Sequence, residues 1–173
     1  MNLLQEFTRV STFIFDVDGV LTDGTVLVLE NGLQARKMSI RDGFGLQMAQ
    51  QNGYRVLIVS GGFSPPVKNR LEKLGITDVH MSINDKKAFV EAYILQNSLV
   101  KEEVLFMGDD LPDLPVMDVV GLSCCPADAA PELRSVVKYV SPFAGGNACA
   151  RDVIEKVLKI NGHWKFDPAI SSR

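Results

Sequence analysis

Thr12-Phe13-Ile14-Phe15-Asp16-Val17-Asp18-Gly19-Val20-Leu21-Thr22-Asp23 is the stretch on which the reading of this chain turns. A run of β-branched and aromatic residues ends in two nearby carboxylates and a glycine. Phe13, Ile14, Phe15 and Val17 leave neither face polar, which predicts a short strand buried on both sides. Asp16 and Asp18 then fall at its carboxyl end, where open α/β sheets hold their ligands. Carboxylates this close stay ionised together only when a cation or several hydrogen bonds compensate them. A strand followed by an Asp-rich turn and a helix cap is the plainer account, and the stretch alone does not choose between the two.

Outward from this strand the chain alternates. Residues 24–38 read as a β-hairpin, with Thr25-Val26-Leu27-Val28-Leu29 and Leu33-Gln34-Ala35-Arg36-Lys37-Met38 flanking the turn signal Asn31-Gly32. An isolated hairpin is marginal in water, so one face is expected on its own domain and the other at a subunit interface. Asp42-Gly43 opens a helical period carrying Phe44, Leu46, Met48, Ala49 and Gln51. Residues 54–59 read as a second buried strand ending in Ser60-Gly61-Gly62. Ser64-Pro65-Pro66 starts a helix with Val67, Leu71 and Leu74 inward. Residues 77–82 read as a strand, 85–97 as a helix with Phe89, Ala92, Tyr93 and Gln96 on one side, and 104–107 as a strand ending in Gly108-Asp109-Asp110. A short helical piece (111–119), a strand (120–123), a helix (126–137), a small strand (138–140) and a closing helix (147–160) follow. Val153, Ile154, Val157 and Leu158 form the inward face of that last helix. The tail, 162–173, has no clear period and reads as frayed or docked on a partner.

Strands alternating with helices give βαβ units and right-handed crossovers. The expected fold class is α/β: a three-layer, Rossmann-like, doubly wound and mostly parallel sheet with a protruding β-hairpin, as a single domain over residues 1–173. Between Asp18 and Ser60 there is room only for the hairpin and one helix, and between Ser60 and Lys86 less, so no cap domain is expected.

Composition narrows the function classes. Apolar content of 46% and charged content of 23% are ordinary for a soluble globular protein. Net charge is −3 without a basic cluster, which excludes the electrostatic footprint of nucleic-acid binding. No apolar run approaches the ~20 residues that span a bilayer. The start, Met1-Asn2-Leu3-Leu4-Gln5-Glu6, lacks the features of a signal peptide. Three cysteines, with Cys124 and Cys125 adjacent, make no disulfide framework and read as small buried residues in a reducing compartment. The expectation is a cytoplasmic protein with neither nucleic acid nor membrane as partner.

Three strands thus end in polar clusters: Asp16/Asp18, Ser60-Gly61-Gly62 and Gly108-Asp109-Asp110. A parallel sheet puts such ends along one edge. Each has a bland account: a plain turn at Ser60, a solvated loop at Asp109-Asp110 with Asp113 as a cap, a surface position for Lys86. All of them would have to hold together. Converging carboxylates make a hard-cation site suited to Mg²⁺ with substrate phosphate. A serine hydroxyl, glycine N–H groups and a lysine ammonium suit phosphate oxygens. A carboxylate can attack phosphorus, and a second can protonate the leaving alcohol and then activate water.

Asp16-Val17-Asp18-Gly19, Ser60, Lys86 and Gly108-Asp109-Asp110 resemble, in order and spacing, the four motifs of the haloacid dehalogenase superfamily of phosphatases. The resemblance implies Asp16 as nucleophile and Asp18 as general acid/base. It implies Ser60, Gly61 and Lys86 on the phosphoryl group, and Mg²⁺ on Asp16, the backbone carbonyl of Asp18, and Asp109, with Asp110 nearby. Asp16 to Gly24, Ile40-Arg41-Asp42-Gly43-Phe44-Gly45-Leu46, Met107 to Asp113, Pro115-Val116-Met117 and Gly145-Gly146 with Arg151-Asp152 extend the similarity over nearly the whole chain. They resemble the small capless branch whose members hydrolyse 3-deoxy-D-manno-octulosonate 8-phosphate, a sugar acid phosphate. That branch forms homotetramers, so the hairpin and tail are expected to contribute to neighbouring sites.

Two positions depart from the branch. An arginine that reaches the sugar acid's carboxylate often stands where this chain has Gly62; Arg41, Lys73 and Arg70 are the cations offered in its place. Asn147-Ala148-Cys149 replaces a further glycine. A phosphatase for the related nine-carbon acid, or one serving a sugar-nucleotide synthetase, therefore stays open. The rivals from other classes are a phospho-acceptor signalling domain, which has no use for Asp18, and a non-catalytic interaction module. His80 and His163 read as structural, and Arg151 as either an anion ligand or a surface partner of Asp152 or Glu155. Trp164 reads as a docking anchor or a cover for the last helix.

Overall fold

The computed structural model describes residues 2–165. Asn2 caps the first helix, α1 (Leu3–Arg9), accepting from Leu4 N–H while Gln5 accepts from Asn2 N–H. That reciprocal box is a start signal, and the helix is an addition to the sequence expectation. β1 (Thr12–Phe15) is buried throughout. A short hairpin follows, β2 (Leu27–Val28) and β3 (Gln34–Ala35), and then α2 (Ile40–Gln51), β4 (Arg55–Val59), α3 (Pro65–Lys73) and β5 (Val79–His80). α4 (Lys86–Gln96), β6 (Val104–Met107), β7 (Leu122–Cys125), α5 (Pro131–Val136), β8 (Tyr139–Val140) and α6 (Cys149–Ile160) complete the order. Between β6 and β7 the chain makes tight helical turns over Leu111–Val119, where Pro115 removes an N–H group an α-helix would use.

Six strands form one sheet in the order β5-β4-β1-β6-β7-β8, every neighbouring pair parallel. The chain winds outward from β1 through β4 to β5, then crosses back to β6 on the other side of β1. Right-handed crossovers in opposite directions put their helices on opposite faces. Phe13 and Phe15 accordingly pack with residues of α2, α3 and α6, and Ile14 with residues of α4, α5 and the Leu111–Val119 turns. Val153, Ile154, Val157 and Leu158 of α6 are fully buried, as the spacing predicts; each such side chain contributes about 1.5–3 kcal/mol. The winding reverses between β1 and β6, and at such a point a crevice opens beyond the strand ends.

Three expectations need correction. The hairpin strands are two residues long rather than five and six, because no third strand or covering layer supports the pairing. A bridge between Thr22 and Met38 ties its base to the loop after β1. On α4 the buried residues are Lys86, Val90 and Tyr93, while Ala92 and Gln96 face outward; the stripe is set by Lys86, whose ammonium turns inward. The helix expected over 126–137 begins at Pro131, after a turn.

The C-terminal half also reaches back under β1's loop. Gly146 N–H donates to the Val20 carbonyl at 2.9 Å, and a Cβ on Gly145 would lie 2.0 Å from the Gly19 carbonyl oxygen. Asp42, near the start of α2, accepts from the N–H groups of Ala148 (3.1 Å) and Arg151 (2.8 Å). Trp164 lies edge-on to Phe44 and against the Arg151 guanidinium, covering the end of the molecule rather than standing free. The rest of the expected tail, 166–173, lies outside the described residues.

Candidate active site

The chain leaves β1 at Asp16, whose N–H still pairs with the Met107 carbonyl of β6 at 3.0 Å. One oxygen of its carboxylate accepts from Val17 N–H at 2.7 Å, which fixes its orientation. The loop then folds tightly: Thr22 Oγ1 accepts from Gly19 (3.2 Å) and Gly24 (3.3 Å), and Thr22 N–H donates to the Val17 carbonyl (3.0 Å). Gly19 has φ +81°, and a Cβ there would fall 1.8 Å from Asp109 Oδ2. Only glycine meets both demands.

Across the switch point stands Lys86, the first residue of α4, below its cap Asp85. Its Nζ is 2.9 Å from Asp16 Oδ2 and 2.6 Å from Asp113 Oδ1, and all three side chains are less than a tenth exposed. The other oxygen of Asp113 accepts from Asp109 N–H at 3.0 Å. Carboxylate oxygens of Asp16, Asp109 and Asp113 lie within 4.8 Å of one another. One ammonium cannot offset three carboxylates. Burial, and then the Asp113 charge, push Asp16 up to about 7. Burial, followed by Asp113 and Asp110, does the same to Asp109, also to about 7. Burial works against the Lys86 ammonium, yet Asp16 and Asp113 hold its pKa above the ordinary value. Crowded oxygen donors carrying surplus negative charge fit a hard divalent cation.

The remaining predicted residues surround this core. Ser60 is buried at the end of β4, its Oγ accepting from Gly62 N–H at 3.2 Å. Asp18 turns the other way from Asp16: Arg36 Nε donates to its Oδ1 at 2.7 Å and Arg36 Nη2 approaches Oδ2 at 3.4 Å. A cavity of about 410 Å³ opens over Asp16, Asp18, Ser60, Gly61, Gly62, Lys86, Asp109, Asp110 and Asp113.

Other predicted residues stand apart. Arg41 is exposed and lines a separate cavity of about 500 Å³ with Arg151 and Lys159. Lys73 sits in the last turn of α3, roughly 12 Å along the helix from the end nearest Ser60 at 1.5 Å per residue. Arg70 lines a groove between α3 and the hairpin. The Asp110 carboxylate caps the following turn, accepting from Leu111 N–H at 2.8 Å, and so borders the carboxylate cluster without joining it. Arg151 pairs with Glu155 at 3.0 Å. Two residues of the site, Asp113 and Arg36, have no site role in the sequence reading. Asp113 is signalled by its spacing from Asp109, one helical turn on. Arg36 has no local signal, because the hairpin's fold alone brings it to Asp18.

The haloacid dehalogenase-like hydrolase family matches residues 75–151. The 3-deoxy-D-manno-octulosonate 8-phosphate phosphatase KdsC of Escherichia coli is 34% identical over 168 residues, 97% of this chain and 88% of that protein. The crystal structure of the phosphatase of that name from Yersinia pestis superposes with a TM-score of 0.90 at 31% identity, covering 93% of this chain and 87% of that one. The Moraxella catarrhalis phosphatase, solved in complex with magnesium ion, phosphate ion and KDO, superposes with a TM-score of 0.87 at 29% identity over 91% of this chain and 90% of that one. Mg²⁺ is the cofactor that fits the Asp16–Asp109–Asp113 cluster.

Proposed function

The chain belongs to the haloacid dehalogenase-like phosphatases, in the branch of the 3-deoxy-D-manno-octulosonate 8-phosphate phosphatases, and from that premise we propose that it hydrolyses this sugar acid phosphate through an aspartyl-phosphate. The observation that carries the reading is the meeting of Asp16, Asp18, Ser60, Lys86 and Asp109 over one cavity at the switch point.

In this reading the Asp16 carboxylate, aimed by Val17 N–H and Lys86, attacks phosphorus. The bond from phosphorus to the sugar oxygen breaks, and Asp18 gives that oxygen its proton. Water then attacks the aspartyl-phosphate, Asp18 takes the water's proton, and phosphate leaves Asp16 free. Ser60 Oγ, the N–H groups of Gly61 and Gly62, and Lys86 hold the phosphoryl oxygens. Asp16, the Asp18 carbonyl and Asp109 would hold Mg²⁺, with Asp110 and Asp113 behind them. There the cation would offset the charge of phosphate among carboxylates.

No helix of the described residues is long and apolar enough to cross a membrane, and we place the enzyme in the cytoplasm. We also assign it a homotetramer in which hairpins cover neighbouring sites. In the single chain Leu27, Val28 and Leu33 are all more than 60% exposed, and a capless site needs its water controlled. The nine-carbon acid phosphate is the second reading, favoured by Gly62. Phosphate release from eight- and nine-carbon acid phosphates and from aldose phosphates, with and without Mg²⁺, tests the proposal. The expected result is Mg²⁺-dependent preference for the eight-carbon acid, lost in Asp16→Asn. Preference for the nine-carbon acid would move the substrate, and no release from any ester would overturn the catalytic reading.

A further inference from the structure

Bonded to Asp18, which lines the cavity, is a cation that the proposed chemistry does not use. Arg36 follows β3, and its side chain is only 10% exposed although it hangs from an exposed hairpin. Its guanidinium meets Asp18 through two of its nitrogens, at 2.7 and 3.4 Å. A guanidinium carries more N–H donors than one carboxylate occupies, so Arg36 can hold Asp18 and accept a second anion beside it.

Gly62 shows why the space is there. A Cβ at that position would lie 3.1 Å from Asp18 Oδ2, 3.6 Å from Ser60 Oγ and 3.8 Å from Arg36 Nη2. A Cβ at 62 would already touch the Arg36 guanidinium at van der Waals distance, so the two positions border the same space. The absent side chain and the present guanidinium are therefore complementary, one leaving room for the other. Ser60 and Lys86 already serve the phosphoryl end in the proposed reading, and Arg36, bonded to Asp18 and close to position 62, is a further cation beside that carboxylate. A planar fork at that place matches a carboxylate in two bonds.

We propose that Arg36 is the specificity-determining residue of this site, binding the carboxylate of the sugar acid phosphate from the hairpin. The inference rests on the substrate class proposed above. Its test is the ratio of kcat/KM for the eight-carbon acid phosphate to that for D-arabinose 5-phosphate, which has no carboxylate. Any loss through Asp18 or through folding lowers both values and cancels in the ratio, so a merely structural role leaves the ratio where it was.

Arg36→Ala is expected to lower the ratio about 10- to 100-fold, the size of losing a charge-assisted pair. Arg36→Ala with Gly62→Arg, which moves the guanidinium to the facing position, is expected to recover most of it. If Arg36→Ala does not fold by circular dichroism, Arg36→Gln, which keeps length and a bond to Asp18, is judged by the same ratio. A ratio within twofold of the parent's in the folded variant overturns the proposal and leaves the substrate reading standing. A parent ratio near one removes the substrate reading itself, and this proposal with it.

Discussion

Two ion pairs stand almost side by side at this sheet edge and are built in opposite ways. Lys86 with Asp16 and Asp113 is buried, spans α4, β1's end and the turns after β6, and belongs to the core as much as to the site. Arg36 with Asp18 joins a short, exposed hairpin to a carboxylate that is 39% exposed. The first pair cannot be opened without leaving a buried charge; the second can exchange partners in water. In the mechanism proposed above, fixed charges suit Asp16 as the attacking group, and an exchangeable pair suits Asp18 as the group that gives and takes protons.

Each side of the contrast can be strained by substitution. Asp16→Asn removes the carboxylate proposed as nucleophile, and turnover should fall more than about 10⁴-fold. Asp18→Asn should cost about 10²–10⁴ in kcat with little change in the Mg²⁺ titration; unchanged turnover would remove Asp18 from the acid/base role. Asp113→Ala breaks the buried network without touching the nucleophile, and a loss of about 3 kcal/mol in stability is expected from denaturant unfolding. A loss below about 1 kcal/mol would make the two pairs alike.

The cation should matter most where protons do not replace it. Asp16 and Asp109 sit at about 7 in the fold against an ordinary 3.8. The folded chain therefore binds more protons than the unfolded one between those values. Without metal, these two groups make stability fall as pH rises through that window. Mg²⁺ should then raise the melting temperature more at pH 8 than at pH 5.5, by roughly 5–10 °C at a hundred times its Kd. Equal shifts at both pH values would detach the cation from these carboxylates. The smallest effect belongs to the Arg36–Asp18 pair, whose carboxylate is 39% exposed: Arg36→Ala should change stability by no more than about 1 kcal/mol.

The buried pair is also the part most legible in sequence. A strand apolar on both faces, ending in Asp16 and Asp18, fixes a parallel sheet edge, and periodicity then supplies β4, β6 and their polar ends. Spacing puts Lys86 at a helix start but does not choose the helix face, because Phe89, Ala92, Tyr93 and Gln96 are spaced as well as the buried Lys86, Val90 and Tyr93. Which stripe turns inward depends on where a lysine finds carboxylates, and that is a tertiary fact. Asp113 read as a possible cap because capping and charge pairing use the same residue type. Arg36 stayed hidden since hairpin pairing gives only its strand and not the direction in which the hairpin folds. Arg41, Lys73 and Arg70 are the cations the sequence offers for the arginine absent at 62; Arg41 and Arg70 line other cavities and Lys73 lies at the far end of α3, because position along the chain is a poor guide across a sheet.

Gly145 and Gly146 press on Gly19 and Thr22, and Asp42 is bonded to the start of α6. The floor beneath the nucleophile's loop is thus laid by residues made more than a hundred positions after it. During synthesis the chain carries all the carboxylates of the candidate site before it has the segment that seats them. The nucleophile's loop should therefore settle late in folding, once the stretch around residue 150 is free to close under a strand that was among the first to be made.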